Sequence, residues 1–272
     1  MTNQSKVQFD KENFIKLWKE FDYEVDESEL TKVIKEWGKY KEKIKNGLFG
    51  LDDYTSLKNN DNPSLPDNLE KNDNPKGYLC NFIERHTDCF GSSRPGNANQ
   101  FMVKANAPDE EKPNQKPYYV AYVKEKNQDK KIAEKYFKEK ILPILQIITN
   151  SKKLSKENIE KLEKDKYQAK QILRKMLVLE HPTDLIHIYK DETINALYKE
   201  FELEHTTTNL EKNRAILKFI KDINVKEEKV IFPTDTKEQI CKLSTFLWRY
   251  ANAKSIVDDD SPNIILYGPP GT

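Results

Sequence analysis

The residues best suited to chemistry stand at the end of the chain, where Gly268-Pro269-Pro270-Gly271-Thr272 follows the apolar run Asn263-Ile-Ile-Leu-Tyr267. A short strand rich in β-branched residues that feeds such a turn matches the opening of the phosphate-binding loop G-x-x-x-x-G-K-[ST]. Glycines there let backbone N–H groups curl around phosphates, and the helix N-terminus that follows adds favourable potential. The lysine that neutralises the β- and γ-phosphates, and the hydroxyl that holds Mg²⁺, would fall beyond Thr272. Gly268, Pro269, Pro270, Gly271 and Thr272 are therefore the candidate nucleotide contacts. The loop is expected to be interrupted in its first half, leaving a chain with no catalytic residue and no nucleotide hydrolysis of its own.

A second set of residues could contact nucleic acid. Phe90-Gly-Ser-Ser-Arg-Pro-Gly-Asn-Ala-Asn99 is a glycine- and amide-rich turn with little side-chain bulk, so it could approach a duplex closely. Cations hold phosphates, whereas amides and aromatic rings read or stack on bases. Arg85, Arg94, Asn97, Asn99, Lys104 and Lys124, in and beside this turn, are the candidate DNA contacts; an ordinary surface turn with scattered charges is the plainer alternative. Tyr118, Tyr119 and Tyr122 could line a pocket for an extruded base, or be strand residues in core and cross-strand pairs.

Other chemistries find less support. Cys80, His86 and Cys89 form C-x5-H-x2-C, but a zinc site needs a fourth ligand and none is near in sequence. His181, His187 and His205 have no nucleophile or paired-carboxylate setting, so a hydrolytic triad is unsupported. No metal site is expected.

Composition sets the frame. The 272 residues carry 46 Lys+Arg against 45 Asp+Glu, which excludes a uniformly basic nucleic-acid coat or an acidic tail protein. The charge is nevertheless uneven. Residues 1–76 hold 13 basic and 16 acidic side chains, whereas residues 124–170 hold 14 basic and 8 acidic. That central segment could face a polyanion or be a solvated Lys/Glu helix surface. A mean hydropathy of −0.86 and no apolar run of membrane-spanning length predict no membrane association. Three unevenly spaced cysteines and a polar N-terminus point to a cytoplasmic protein.

Periodicity supplies the elements that must position these residues. Phe14, Leu17, Trp18 and Phe21 share one helical face, and Leu30, Val33, Ile34, Trp37 and Ile44 share another, with Ser28 as cap and Gly47 as stop. Residues 52–76 read as a loop. A helix from Tyr78 ends by Gly91, and strands at Gln100–Ala105 and Tyr118–Val123 form a hairpin with a long connection. Asp129 to Ile148 is helical with a kink at Pro143. One long helix is expected over Ser155–Leu179, then helices near 191–203 and 210–222, and a loop or short strand at 229–233. A Thr236-x-x-Gln239 capping box opens a helix whose apolar face is Ile240, Leu243, Leu247 and Tyr250. Asp258–Pro262 is a linker into the final strand. The fold class is thus an α+β N-terminal unit, helices plus a small antiparallel sheet, followed by a mainly α-helical connector and the first strand of an α/β domain.

Asn263–Thr272 resembles the start of an AAA+ ATPase module, whose members read hydrophobic strand then Gly-Pro-Pro-Gly-Thr-Gly-Lys-Thr. The long preceding region resembles McrB-like NTPase subunits of restriction systems. The stretch Ile172-Leu-Arg-Lys-Met-Leu-Val-Leu-Glu-His-Pro182 with Leu185-Ile-His-Ile-Tyr189, and the Phe90–Asn99 turn behind Gly77–Arg85, carry that likeness. The resemblance implies a DNA-recognition domain over 1–150, a helical connector over 151–255, and a truncated AAA+ start over 256–272. It further implies a homo-oligomeric ring driven by ATP or GTP with Mg²⁺ in a longer parent, no cofactor in this fragment, and two partners: DNA, modified or not, and a McrC-like nuclease. The alternatives are a protein-client-binding region of another AAA+ remodelling ATPase, or an inactive remnant of a disrupted gene.

Overall fold

Asp10 starts the first helix by accepting the Asn13 N–H at 3.0 Å, which satisfies one of the donors that a helix leaves unpaired. The computed structural model describes residues 9–56, 77–91, 101–106, 114–121, 123–151, 153–164 and 170–257. Arg94, Asn97, Asn99, Tyr122, the linker Asp258–Pro262 and the whole of Asn263–Thr272 lie outside them, as does most of the loop expected over 52–76.

Helix α1 spans Lys11–Lys19 and α2 spans Glu27–Lys45. The cap of α2 is Asp26 rather than Ser28: its carboxylate accepts the Glu29 N–H at 2.9 Å and also complements the helix dipole. Gly47, at φ +69°, closes the helix in the left-handed region where glycine carries no steric cost. A short α3, Leu51–Tyr54, begins where a loop was expected, because both terminal side chains are buried. Helix α4, Leu79–Arg85, leads to a 3₁₀ turn at Asp88–Phe90.

The strands β1 (Val103–Ala105), β2 (Tyr118–Val120) and β3 (Asn127–Gln128) form an antiparallel sheet in that order. The first two make the expected hairpin. The third carries no β signal in its sequence.

Helix α5, Lys130–Tyr136, continues through a π turn at Phe137–Ile141 into α6, Leu142–Asn150. Ala133, Phe137, Ile141 and Leu145 are spaced by four and all buried. At about 100° per residue, each four-residue step in an α-helix drifts by about 40°, so three steps would carry Leu145 off the core face. One wide turn, closed by the Leu142 N–H on the Phe137 carbonyl, takes up that drift. It also sits just before Pro143, which has no N–H to offer the carbonyl of Glu139. The expected kink is thus a change of helix type.

Where one long helix was expected, α7 covers Lys156–Lys164 and α8 covers Lys170–Glu180, with residues 165–169 outside the described set. Helix α9, Asp191–Glu200, is followed by α10, Asn209–Lys226, which opens with a Thr208–Glu211 capping box. Residues 229–233 form no strand; the Ile231 and Phe232 N–H groups donate to Asn224 Oδ1, each at 2.9 Å. Helix α11, Lys237–Val257, starts at the Thr236/Gln239 box, and its four expected core residues are buried. The molecule is mostly helical with one small sheet. No described helix is long and apolar enough to cross a membrane.

Two apolar clusters organise the packing. The first joins α2, α4, the sheet, α5 to α6 and α8; the second joins α9, α10 and α11. Phe14 of α1 is fully buried in the second, with ring centroids at 4.9 to 5.4 Å from Phe9, Phe201, Phe232, Phe246 and Tyr250. The N-terminal helix therefore packs with the last three helices, and α8 with the first half of the chain. Phe14→Ala would empty the centre of that aromatic group and cost about 3–5 kcal/mol. A urea titration should show a lower midpoint with an unchanged slope.

Candidate functional site

In an antiparallel sheet, directly paired residues project to the same face and neighbours along a strand alternate. Lys104 pairs with Tyr119, and Tyr119 with Asn127, so these three form a row across one face of the sheet. Val103, Val120, Tyr118 and Gln128 belong to the other face and are buried. Lys104 and Tyr119 are half-buried, and Asn127 is exposed. A cation, an aromatic ring and an amide thus stand side by side on the more open face.

This alternation separates the tyrosines. Tyr118 points inward and its hydroxyl donates to Asp52 Oδ1 at 3.4 Å, so Tyr118 and Tyr119 cannot line one pocket. Tyr122 lies outside the described residues.

Of the candidate DNA contacts, Arg85 is exposed at the last turn of α4. Lys104 Nζ lies 3.4 Å from Glu84 Oε2 and 5.3 Å from the centre of the Phe101 ring. That ion pair ties the end of α4 to β1. Lys124 is exposed in the turn between β2 and β3. The sequence offers Tyr119 either as a pocket tyrosine or as a strand residue in core and cross-strand pairs, and Asn127 carries no signal there. Strand register is the information that unites them, and the two-residue strand β3 gives no sequence cue to it.

A second arrangement went unnoticed in the sequence. Three consecutive carbonyls, those of Cys89, Phe90 and Gly91, are each received by a side chain from the second half of the chain. Cys241 Sγ of α11 donates to Cys89 O at 3.0 Å, the Tyr189 hydroxyl to Phe90 O, and Lys175 Nζ of α8 to Gly91 O at 2.7 Å. Gly91 has φ +87°, and a Cβ there would meet the His187 carbonyl at 2.5 Å, so only glycine fits. Lys175 is fully buried, with Asp88 Oδ1 at 3.8 Å and the Tyr189 ring at 5.5 Å. Burial pushes its ammonium down to about 8, partly opposed by Asp88 and Cys89. Burial likewise lowers His187 to about 4, against the hydrogen bond that its Nε2 makes with the Pro182 carbonyl at 3.0 Å. Next to Lys175, the buried Arg174 donates to the Tyr189 carbonyl at 2.7 Å and pairs with Asp191. Two cations inside the apolar stretch of α8 were the available sequence signal. A charge there must find acceptors.

Burial also raises all three thiols, Cys241 to about 12, so they behave as small apolar groups rather than nucleophiles. Among the described residues, no three His, Cys, Asp or Glu side chains are grouped to hold a metal ion. Comparison of the chain with protein-family models, with curated proteins and with solved structures gives no match.

The buried lysine makes a testable contribution to stability. Its folded-state value lies below the ordinary 10.5, so the unfolded chain binds the extra proton between these values and stability rises with pH across that window. At about 1.4 kcal/mol per pH unit the rise amounts to about 3 kcal/mol. Lys175→Met should remove it, so that the variant's unfolding free energy rises less steeply with pH than that of the native chain between pH 8 and 10.5.

Proposed function

We propose that this chain is the DNA-recognition and connector portion of a McrB-like restriction NTPase. In that reading residues 1–150 capture a specific or modified DNA site. The helices that follow couple capture to an ATP- or GTP-driven ring, of which Gly268–Thr272 would begin the phosphate loop, and a McrC-like nuclease cuts. The observation that carries the DNA part is the row Lys104–Tyr119–Asn127. A cation for phosphate, a ring for a base face and an amide for a base edge are the types that nucleic-acid recognition requires. The capture of the 89–91 carbonyls by α8, Tyr189 and α11 supports a connector role, because it fixes the segment beside α4 to the second half of the chain.

A second reading, a protein-client-binding region of another remodelling ATPase, is favoured by one feature. Ile15, Trp18, Val230 and Ile231 line a groove of about 300 Å³ between α1 and the residues after α10, and Val230 is 65% exposed.

Fluorescence anisotropy with labelled duplexes, unmodified and methylated, at about 50 mM salt separates the two. The native chain should bind, and Tyr119→Ala should weaken binding about 10-fold, within the range for one stacked base. No binding of either duplex by the native chain would sink the DNA reading.

A further inference from the structure

We infer that the lysines along the outer face of α5 and its π turn form a track for the phosphate backbone of duplex DNA, distinct from the sheet row. The inference rests on the DNA reading above and gives it a sequence-independent component.

Lys131, Lys135 and Lys138 fall at i, i+4 and i+7, opposite the buried Ala133, Phe137 and Ile141, and all three are exposed. Lys140 is exposed within the π turn, and Lys124 and Lys126 are exposed in the turn that leads to β3. Four acids, Glu125, Asp129, Glu134 and Glu139, are interspersed with them; Glu125 is exposed in the turn, and Glu134 acts on Lys130 and Tyr118. Asp129 lies 3.6 Å from Lys116, and Asp52 is occupied by Lys130 at 2.7 Å. Lys135 reaches Glu139 only at 4.0 Å, with both side chains exposed. The side chains of Lys124, Lys126, Lys131, Lys138 and Lys140 make no ion pair or hydrogen bond among the described residues.

Spacing and chemistry select the occupant. At 1.5 Å per residue, Lys131 and Lys138 stand about 10 Å apart along the helix, about three steps of the 3.4 Å rise between phosphates on one DNA strand. A single strand would need aromatic platforms, and no exposed aromatic ring lies on this ridge among the described residues. An anionic membrane would need an apolar helix face to insert, but Ala133, Phe137 and Ile141 are committed to the core. Duplex phosphate asks only for a line of cations.

The test compares the native chain with a variant combining Lys131→Gln, Lys135→Gln, Lys138→Gln and Lys140→Gln. A control removes four exposed cations elsewhere: Lys218→Gln, Lys221→Gln, Lys226→Gln and Lys229→Gln. Binding to a duplex of about 20 base pairs is followed by anisotropy from about 50 to 200 mM salt. Four phosphate contacts contribute a log–log slope of about −3.6, so the ridge variant's slope should be shallower by that much, and its affinity deficit against the native chain about 150-fold larger at about 50 mM than at about 200 mM salt. The loss should be the same for methylated, unmethylated and scrambled duplexes, with an unchanged thermal melt and no comparable loss in the control. A ridge variant that keeps the native slope, or a control that loses as much, overturns the ridge while leaving the DNA reading intact. Absence of duplex binding by the native chain defeats both. Tighter retention on vesicles of anionic lipid than on duplex would also overturn the choice of DNA.

Discussion

An ammonium group buried without exposure has to be met by acceptors, and Lys175 meets this demand with the Gly91 carbonyl. The rest of the arrangement around it follows from that need. The chain must bring residues 88–91 onto α8, which requires the left-handed glycine at 91 and the close approach to His187. Once there, the two preceding carbonyls are also withdrawn from water, and Tyr189 and Cys241 receive them. The segment after α4 is thereby bonded to α8, to Tyr189 before α9, and to α11. These polar contacts stand beside apolar ones, since Leu185, Tyr189, Leu210 and Cys241 belong to the first cluster.

The sheet is too small to be stable alone and depends on the helices packed around it. Its buried face, Val103, Val120 and Tyr118, is part of the first cluster, so register is fixed by burial. That fixed register turns Lys104, Tyr119 and Asn127 outward together. The π turn performs the corresponding service for α5 and α6. By absorbing the drift of a four-residue apolar spacing, it keeps Ala133, Phe137, Ile141 and Leu145 inward and leaves the lysines between them in solvent. The sheet row and the lysine ridge both owe their exposure to what their opposite faces bury.

Much of the helical framework was legible in the chain because amphipathic spacing reports directly on burial. Phe14, Leu30, Val33, Trp37, Ile44 and the α11 residues Ile240, Leu243 and Leu247 all lie inside, and the Thr236–Gln239 box forms. The failures have local causes. Ser28 yielded to Asp26 because a carboxylate also favours the positive end of the helix. The loop expected from residue 52 begins with a helical turn because Leu51 and Tyr54 are held by the core. Strand β3 was invisible because Asn127 and Gln128 pair through backbone alone.

The sequence by itself determined most of the helical segments, where several of them start, and that positive charge is concentrated in the middle of the chain. It also carried the strand-and-turn pattern at Asn263–Thr272, on which the comparison to phosphate loops rests. Only the tertiary structure decided that α1 belongs with the last helices, that Tyr118 and Tyr119 face opposite ways, and that Lys175 has a carbonyl to satisfy. The physical reason is range. Periodicity and capping act within a few residues, whereas cross-strand register and the acceptors of a buried charge come from residues far apart in the chain, as with Gly91 and Lys175.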